Sequence, residues 1–244
     1  GMVYVGQSGT LVAFDATTGE VRWNFEGVSG ESSPIVLDGV VYMAGDEQFY
    51  AVDAITGQRL WVTTNIGSSN STSPAIYDNV LYAGRWGRSL VASNLATGQE
   101  LWKIENDESI FDRTPAIADG VLYIGSQMRI YAIDLATNET RWSFASRGVT
   151  FSTAAAVANG TVFVGSESGL VFAIDAETGL QKWAYPTGDT VRSAPSVAGG
   201  VVYFGSDNGY FFALAAVNGE LLWWHQTYGP IDSSPVIADG IVYV

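Results

Sequence analysis

The sequence contains no cysteine among its 244 residues, which excludes disulfide bonds and thiolate metal sites and leaves the redox compartment undecided. It has a single histidine, His225, so a histidine-rich metal centre is excluded and a Ser-His-Asp triad would have to use that one residue. Basic residues are also few: 11 Lys and Arg stand against 25 Asp and Glu, which gives a net charge of −14. Because so acidic a surface repels phosphate backbones, we expect no nucleic-acid partner.

Long apolar runs are missing as well. None approaches the roughly 20 residues that a membrane-spanning helix needs, and the sequence does not open on a secretory segment, so we expect no membrane span. No segment keeps a 3.6-residue period, so helices are not expected either. Hydrophobic residues nevertheless make up 47% of the chain, which is enough for a substantial core.

What the sequence has instead is an internal repeat. The stretch AFDATTGEVRW at residues 13–23 recurs in six copies about every 40 residues, always with Ala and Trp ten positions apart. Short runs such as VVYMAG are apolar, β-branched and aromatic, as in buried strands. Asp-Gly pairs between such runs predict two-residue β-hairpins, because both turn residues tolerate positive φ. Each repeat therefore predicts four short antiparallel strands, a to d.

A sheet with two apolar faces is not stable alone, and stacking such sheets around an axis buries both faces, as in a β-propeller. We therefore predict an all-β fold with one propeller domain over residues 1–244. The repeats start near residues 2, 40, 80, 121, 161 and 201, and a partial repeat occupies 241–244. Complete four-stranded blades are expected at 31–64, 71–105, 112–145, 152–185 and 192–226.

The last residues, IVYV, nearly copy MVYV at residues 2–5, and two interpretations are open. In a six-bladed ring, the a strand at 233–239 would pair with residues 2–5, which closes the ring and leaves no radial edge. IVYV would then be a displaced, surplus strand. Alternatively, the chain is a fragment of a seven- or eight-bladed ring, and the restart is a cut through the next repeat.

The run Ala-x-Asp-x-x-Thr-Gly-x-x-x-Trp followed by Ser-Ser-Pro-x-Val-x-Asp-Gly-x-Val-Tyr resembles the repeat of quinoprotein-type (PQQ-like) β-propellers. The resemblance covers essentially the whole chain. In character it is closest to non-catalytic members, such as the propeller lipoprotein of the outer-membrane β-barrel assembly machinery, and it implies a periplasmic or other extracytoplasmic location. It also implies that the periodic tryptophans dock each blade on its neighbour: Trp23, Trp61, Trp102, Trp142, Trp183 and Trp223.

Loop lengths favour one side of the propeller for binding. The a–b and c–d turns keep constant spacing, whereas the d–a links and b–c loops vary, and binding residues concentrate on variable loops over a rigid scaffold. In one b–c loop, the exposed Trp86 between Arg85 and Arg88 suits an anionic or aromatic ligand or a partner, unless the indole folds onto its own blade. Residues at the start of the innermost strands are expected to ring the channel mouth as a pocket or as a solvated polar rim: Glu31, Asp112, Arg113, Arg192 and Asp232.

Some apolar residues do not occupy the positions of the six docking tryptophans. Ile110, Phe111, Phe151 and Tyr228 fall in d–a links, where they either extend a recognition patch or tuck under the loops. Trp224 follows a docking tryptophan on strand d, so it is expected to point to the other side of its sheet.

We therefore expect a non-enzymatic binding or scaffold propeller that recognises a protein, a peptide or a small ligand through the d–a/b–c side. No catalytic residue, metal or cofactor is predicted, and the sequence does not indicate an oligomeric state. The alternative implied by the resemblance is a PQQ-dependent dehydrogenase that holds PQQ and Ca²⁺. Such enzymes typically have larger rings, a Glu/Asn/Asp calcium site and often a vicinal cysteine pair, and no matching motif is found here.

Overall fold

A computed structural model of the chain describes residues 1–7, 9–28, 32–45, 48–63, 72–85, 89–105 and 113–244, with the backbone alone at Arg85. These residues form strands, turns and bends without a helix, in agreement with the all-β prediction. Accordingly, the described ranges offer no helix of the length and apolarity needed to span a membrane. The chain divides into two compact units, unit 1 (residues 1–115) and unit 2 (residues 116–244).

Unit 1 contains three antiparallel sheets. Sheet A has the strands β1 (Met2–Gln7), β2 (Gly9–Asp15) and β3 (Val21–Val28). Sheet B has β4 (Ile35–Leu37), β5 (Val40–Ala44), β6 (Phe49–Asp53) and β7 (Arg59–Val62). Sheet C has β8 (Ala75–Tyr77), β9 (Val80–Arg85), β10 (Ser89–Asn94) and β11 (Glu100–Glu105).

Unit 2 contains three four-stranded sheets and a two-stranded one, in which every strand pairs with the next along the chain. Sheet D has β12 (Ala116–Ala118), β13 (Val121–Gly125), β14 (Ile130–Asp134) and β15 (Thr140–Phe144). Sheet E has β16 (Ala156–Ala158), β17 (Thr161–Gly165), β18 (Leu170–Asp175) and β19 (Gln181–Pro186). Sheet F has β20 (Ser196–Ala198), β21 (Val201–Gly205), β22 (Tyr210–Ala215) and β23 (Leu221–Gln226), and sheet G has β24 (Val236–Ala238) and β25 (Ile241–Tyr243).

The turns have the conformations that the sequence predicts. In the hairpin between strands a and b of sheet D, Asp119 and Gly120 have φ values of 50° and 71°, the positive pair that matches the twist of the flanking strands. In the other a–b hairpins, both turn residues also have positive φ. In the c–d turns, glycine takes positive φ in five repeats, and Asn138 takes φ 62° in the sixth, which fits the tolerance of asparagine for the left-handed region.

The core consists of apolar layers between consecutive sheets of a unit. Between sheets E and F, Phe163 and Val171 pack with Phe204 and Phe212, and equivalent layers join sheets A and B, B and C, and D and E. In unit 2 the first strands of successive sheets lie side by side. This is the face-to-face stacking of four-stranded sheets that a propeller requires.

The last two strands pair with each other. The a strand predicted at 233–239 contributes β24, which pairs with β25, and the turn residues that join them, Asp239 and Gly240, both have positive φ. Strand β1 belongs to the three-stranded sheet A. Residues Ile241–Tyr243 of the segment IVYV are therefore a paired strand of sheet G, and ring closure and the number of blades stay predictions.

Candidate functional site

Tryptophans of strand d fasten each sheet to the c–d turn of the next sheet in the same unit. The indole Nε1–H of Trp183 in sheet E donates to the backbone carbonyl of Ala216 in sheet F at 3.1 Å. Gly219 lies against the same ring: a Cβ there would be 2.7 Å from it, so no larger residue fits without movement. The same bond is made by Trp23 to Ala54, Trp61 to Leu95 and Trp142 to Ala176, at 3.0–3.1 Å.

The other two docking candidates, Trp102 and Trp223, each meet an aromatic ring of their own sheet, as the first four do: Trp102 lies 5.8 Å from Tyr82 and Trp223 lies 6.0 Å from Tyr203, centroid to centroid. Trp223 is 42% exposed, because the next sheet, sheet G, has only two strands and no c–d turn to cover the indole. The four indole hydrogen bonds fix the junctions of sheets A and B, B and C, D and E, and E and F, which positions the loops at the other ends of the strands.

In unit 2 the d–a links are anchored by one buried apolar residue each. Val191 N–H donates to the carbonyl of Ser166 at 3.0 Å, and Ile231 N–H donates to that of Ser206 at 3.3 Å. A Cβ on Gly205 would lie 2.2 Å from the Ile231 side chain, so the b–c loop needs glycine for this close approach. The anchors bring each d–a link against a b–c loop and fix the residue that follows.

The residues that follow these anchors, Arg192 and Asp232, are both predicted site residues. Arg192 Nη1 lies 3.2 Å from Asp207 Oδ2, while the Arg192 side chain is 60% exposed. Asp207 belongs to the b–c loop of sheet F, where its N–H donates to the carbonyl of Thr190 at 2.9 Å. The structure thus gathers Arg192, Asp207 and Asp232, together with Asp189, into one group, which we call the Asp207 cluster.

The second carboxylate oxygen of Asp207, Oδ1, is buried and accepts no hydrogen bond from the described residues. Burial is the main cause that raises the pKa of Asp207. The Arg192 guanidinium lowers it, whereas the Asp232 carboxyl, through its charge and a side-chain hydrogen bond, and the charge of Asp189 raise it. A proton on either Asp207 or Asp232 can be shared between the two carboxyls. When both are ionised, Asp207 Oδ1 has no donor among the described residues.

The other predicted site residues are distributed differently. Arg113 is partly buried in unit 1. Of the d–a link residues, Phe151 is buried and Tyr228 is fully exposed. The side chain of Arg85 lies outside the described part of the structure. So do the remaining candidates: Glu31, Trp86, Arg88, Ile110, Phe111 and Asp112.

Asp207 was missed by sequence reasoning, although a signal for it exists. It follows the Gly-Ser pair that ends strand b, and sheets D and E carry Gln127 and Glu167 at the same step. The position is therefore polar in each repeat of unit 2, but its neighbours come from links of other repeats. Only the folded structure shows that Arg192 and Asp232 lie beside it.

Cavities of unit 2 also occur away from the predicted side. One of about 390 Å³, near Asp119, Arg141 and Asp175, and one of about 420 Å³, near Asn159 and Val217, lie at the a–b and c–d turns of sheets D, E and F. The basic groups there are already paired, Arg141 with Asp134 at 2.6 Å and Lys182 with Asp175 at 3.1 Å. A third cavity of about 260 Å³ lies between the outer strands of sheets E and F.

Nowhere in the ranges that the structure covers do three His, Asp or Glu side chains come close enough to hold a metal ion.

Relatives and solved structures agree on the architecture. The curated tetrathionate hydrolase of Acidianus ambivalens is 37% identical over 62 residues, which is 25% of this chain and only 12% of that protein. The crystal structure of BamB from Moraxella catarrhalis matches with a TM-score of 0.81 at 21% identity, over 99% of this chain and 74% of that one. A europium-containing methanol dehydrogenase matches with a TM-score of 0.83 at 15% identity, over 97% of this chain and 69% of that one.

At such identities the structural matches establish a β-propeller fold and nothing finer. The family is established by sequence: the profile described as outer membrane protein assembly factor BamB matches residues 1–156 and 126–244, which together span the chain. The chain is thus built from PQQ-like propeller repeats and belongs to the family described as outer membrane protein assembly factor BamB.

Proposed function

We propose that this chain is a non-enzymatic recognition scaffold that binds a protein or peptide partner through its d–a links and b–c loops. The observation that carries the proposal is the Asp207 carboxylate, which has one oxygen paired with Arg192 and the other buried without a donor. A buried acceptor without a donor costs free energy. A donor on a bound partner would remove that cost, so the geometry favours binding at this cluster.

The scaffold below the cluster supports this role. Indole hydrogen bonds and close glycine contacts join the sheets, and buried anchors such as Val191 fix the links. Loops held in this way are pre-organised, which lowers the entropy cost of binding. The family description, an outer membrane protein assembly factor, supports a protein partner and an extracytoplasmic location, and both are part of the proposal.

The charge of the cluster defines the complementary group on the partner. Asp207 is influenced by the carboxyls of Asp232 and Asp189 and paired with the single guanidinium of Arg192, so a lysine or arginine side chain is the donor that fits. Arg192, being largely exposed, remains available to an acidic group beside it. The segment with Arg85, Trp86 and Arg88, and the rim residues Glu31, Asp112 and Arg113, are proposed as further contacts.

Site-specific photo-cross-linking tests the proposal. A photoreactive phenylalanine replaces Arg192 or Asp232 on the loop side, and Thr178 or Asn218 in the c–d turns of sheets E and F as matched controls. We expect a cross-linked partner from the loop positions only. In binding assays with that purified partner, Asp207→Asn is expected to weaken affinity about tenfold or more, as for one desolvated charged pair. Equal cross-linking from both sides, or from the turns alone, would contradict the proposal.

The dehydrogenase alternative rests on a likeness of fold alone and is tested separately. A thermal melt with PQQ and Ca²⁺ should leave the Tm unchanged if the chain is a recognition scaffold. A saturable rise in Tm would show specific binding of the cofactor to the folded state and would replace the scaffold with a quinoprotein.

A further inference from the structure

Unit 2 carries a second feature, the aromatic groove, which lies between sheets E and F apart from the Asp207 cluster. It encloses about 260 Å³. One wall is the end of β19, with Tyr185 and Pro186, and the other is the face of sheet F that is turned towards sheet E, with Tyr210, Phe212 and Trp224. The groove is open to solvent along the outer strands.

The rings of the groove are held in defined positions. Tyr210 and Trp224 meet edge to face, with centroids 5.1 Å apart and an interplanar angle of 69°. Tyr185 meets Phe212 at 5.8 Å and 62°. Asn208 ties the walls together, because its Nδ2 donates to the carbonyl of Thr187 at 2.7 Å while its Oδ1 accepts from the N–H of Tyr210. The walls are therefore preformed, although Trp224 is 52% exposed.

The other repeats show that the fold does not require these rings. At the position after the docking tryptophan, where sheet F has Trp224, sheets E, D, C, B and A have Ala184, Ser143, Lys103, Val62 and Asn24. A second position lies three residues before the alanine that stands ten positions ahead of each docking tryptophan. Sheet F has Tyr210 there, and the other sheets, in the same order, have Leu170, Arg129, Ser89, Gln48 and Thr10. Tyr210 packs against the core between sheets E and F, but the other repeats make that layer without an aromatic ring at either position, so the exposed indole and the tyrosine hydroxyl are not required for blade packing.

The polar atoms of the groove define the ligand it can take. Both polar ends of the Asn208 amide are already engaged, and no lining residue is charged. The hydroxyls of Tyr185 and Tyr210 and the Nε1–H of Trp224 have no partner within the described ranges. All three can donate, so the groove suits a ligand that offers apolar rings and acceptors but few donors.

We propose that the aromatic groove binds a proline-rich peptide segment in the polyproline II conformation. A run of prolines has carbonyl acceptors and no backbone N–H, which matches the donors of the groove. Its rings pack against aromatic walls, and its helix is formed before binding, so little conformational entropy is lost. The proposal does not depend on the Asp207 cluster.

The test measures the fluorescence anisotropy of a labelled decaproline peptide with the full chain and with two variants. One variant removes a tryptophan from the groove face of sheet F, and the other removes a tryptophan from the opposite face. Trp224→Ala should weaken binding about tenfold or more, as for a hot-spot residue. Trp223→Ala is the matched control: it removes the same residue type one position away, at similar exposure, from the opposite face, and should change binding less than about twofold. Equal losses in the two variants, or no decaproline binding by the unaltered chain, would overturn the proposal.

Further arms separate specificity from folding. Tyr210→Leu installs the residue of sheet E and should weaken binding in a chain whose Tm is retained. Leu170→Tyr combined with Ala184→Trp places the two rings of sheet F at the junction of sheets D and E, where Phe144, Ala145 and Ser168 take the places of Tyr185, Pro186 and Asn208, and should add a second, weaker binding site. A Gly-Ser peptide of equal length should not bind. Binding of a β-1,4-linked glucose hexamer in place of decaproline would contradict the proposal, whereas Asp207→Asn should leave decaproline binding unchanged.

Discussion

Asp175 and Asp207 are two aspartates of unit 2 in opposite electrostatic situations. In the c–d turn of sheet E, Asp175 Oδ1 accepts from the N–H and the hydroxyl of Thr178, both at 2.9 Å, and Oδ2 lies 3.1 Å from Lys182 Nζ. The Thr178 N–H first, and then Lys182, hold the pKa of Asp175 at about 2. At the other end of the strands, burial raises the pKa of Asp207, and its Oδ1 has no donor.

The two carboxylates differ in how far the fold itself uses them. Turns of this kind recur in unit 1, where Asp53 Oδ1 accepts from Ile55 and Thr56, so the acid at the start of these c–d turns is used in the fold. The Oδ1 atom of Asp207 has no such use in the described residues. We propose that this difference makes Asp207 available to a partner.

The largest expected effect belongs to the scaffold. Trp183→Ala removes the indole between sheets E and F and its hydrogen bond to Ala216, and should lower the free energy of unfolding by about 3 kcal/mol. Trp223→Ala, whose indole is 42% exposed, should cost about 1 kcal/mol or less. Chemical denaturation measures both. Similar losses would show that the docking contact of Trp183 adds nothing beyond partial burial.

The next effect concerns the turn-side carboxylate. Because the pKa of Asp175 is lower in the folded chain than in the unfolded one, its ionised form stabilises the fold above pH 4, and this contribution is lost as the pH falls through about 2. Asp175→Asn should lower the Tm at pH 7 by about 1–3 °C. The gap should close near pH 2, where Asp175 is half protonated or more. An amide can make the same turn bonds, as Asn94 does with Ala96 and Thr97.

Asp207→Asn should have the opposite sign. The raised pKa of Asp207 means that its charge destabilises the fold at neutral pH, a penalty that is absent below the unfolded pKa and appears as the pH rises through the folded one. We expect the Tm at pH 7 to be unchanged or up to about 2 °C higher, since the exposed Arg192 pair contributes little. Melts at pH 3 should not distinguish the variant from the unaltered chain. A clear fall in Tm at pH 7 would indicate that Asp207 stabilises the fold.

The smallest effect comes from the one c–d turn that begins with neither Asp nor Asn. Sheet F has Ala215 where the other sheets have Asp or Asn, so the turn keeps its backbone bonds, Ala215 N–H to the Glu220 carbonyl and Gly219 N–H to the Ala215 carbonyl, both at 2.8 Å, without a side chain at position 215 to accept from the turn. Ala215→Asp should cap the turn and raise the Tm by about 1 °C. Ala215→Asn is the neutral control and should give part of the gain. A fall in Tm for both would show that Asn218 already satisfies this turn.

The repeating elements could be predicted from the sequence because their signals are local. The Asp-Gly hairpins, the left-handed Asn138 and the order of strands within each sheet follow from turn chemistry and strand composition. The direction of Trp224 follows from alternation along a strand. None of these requires knowledge of which repeats lie side by side.

The site could be predicted only in part, because it depends on distant residues. Arg192 and Asp232 were found from their place after the strand-d links, but Asp207 acquires its meaning only when Val191 and Ile231 bring those links against its loop. The pairing of β24 with β25 could be predicted because it joins neighbours in sequence, whereas ring closure and the number of blades stay predictions. Pairings set by loop closure are not encoded in residue types.

The central claim is that the loop side holds a carboxylate in need of a donor while the turn side holds a satisfied one. Carboxyl ¹³C NMR titration of Asp207 and Asp175 in the same sample measures this directly. The account predicts that Asp207 titrates above the ordinary aspartate value of about 3.9 and that Asp175 titrates near 2. An Asp207 pKa at or below about 3.9 would contradict it.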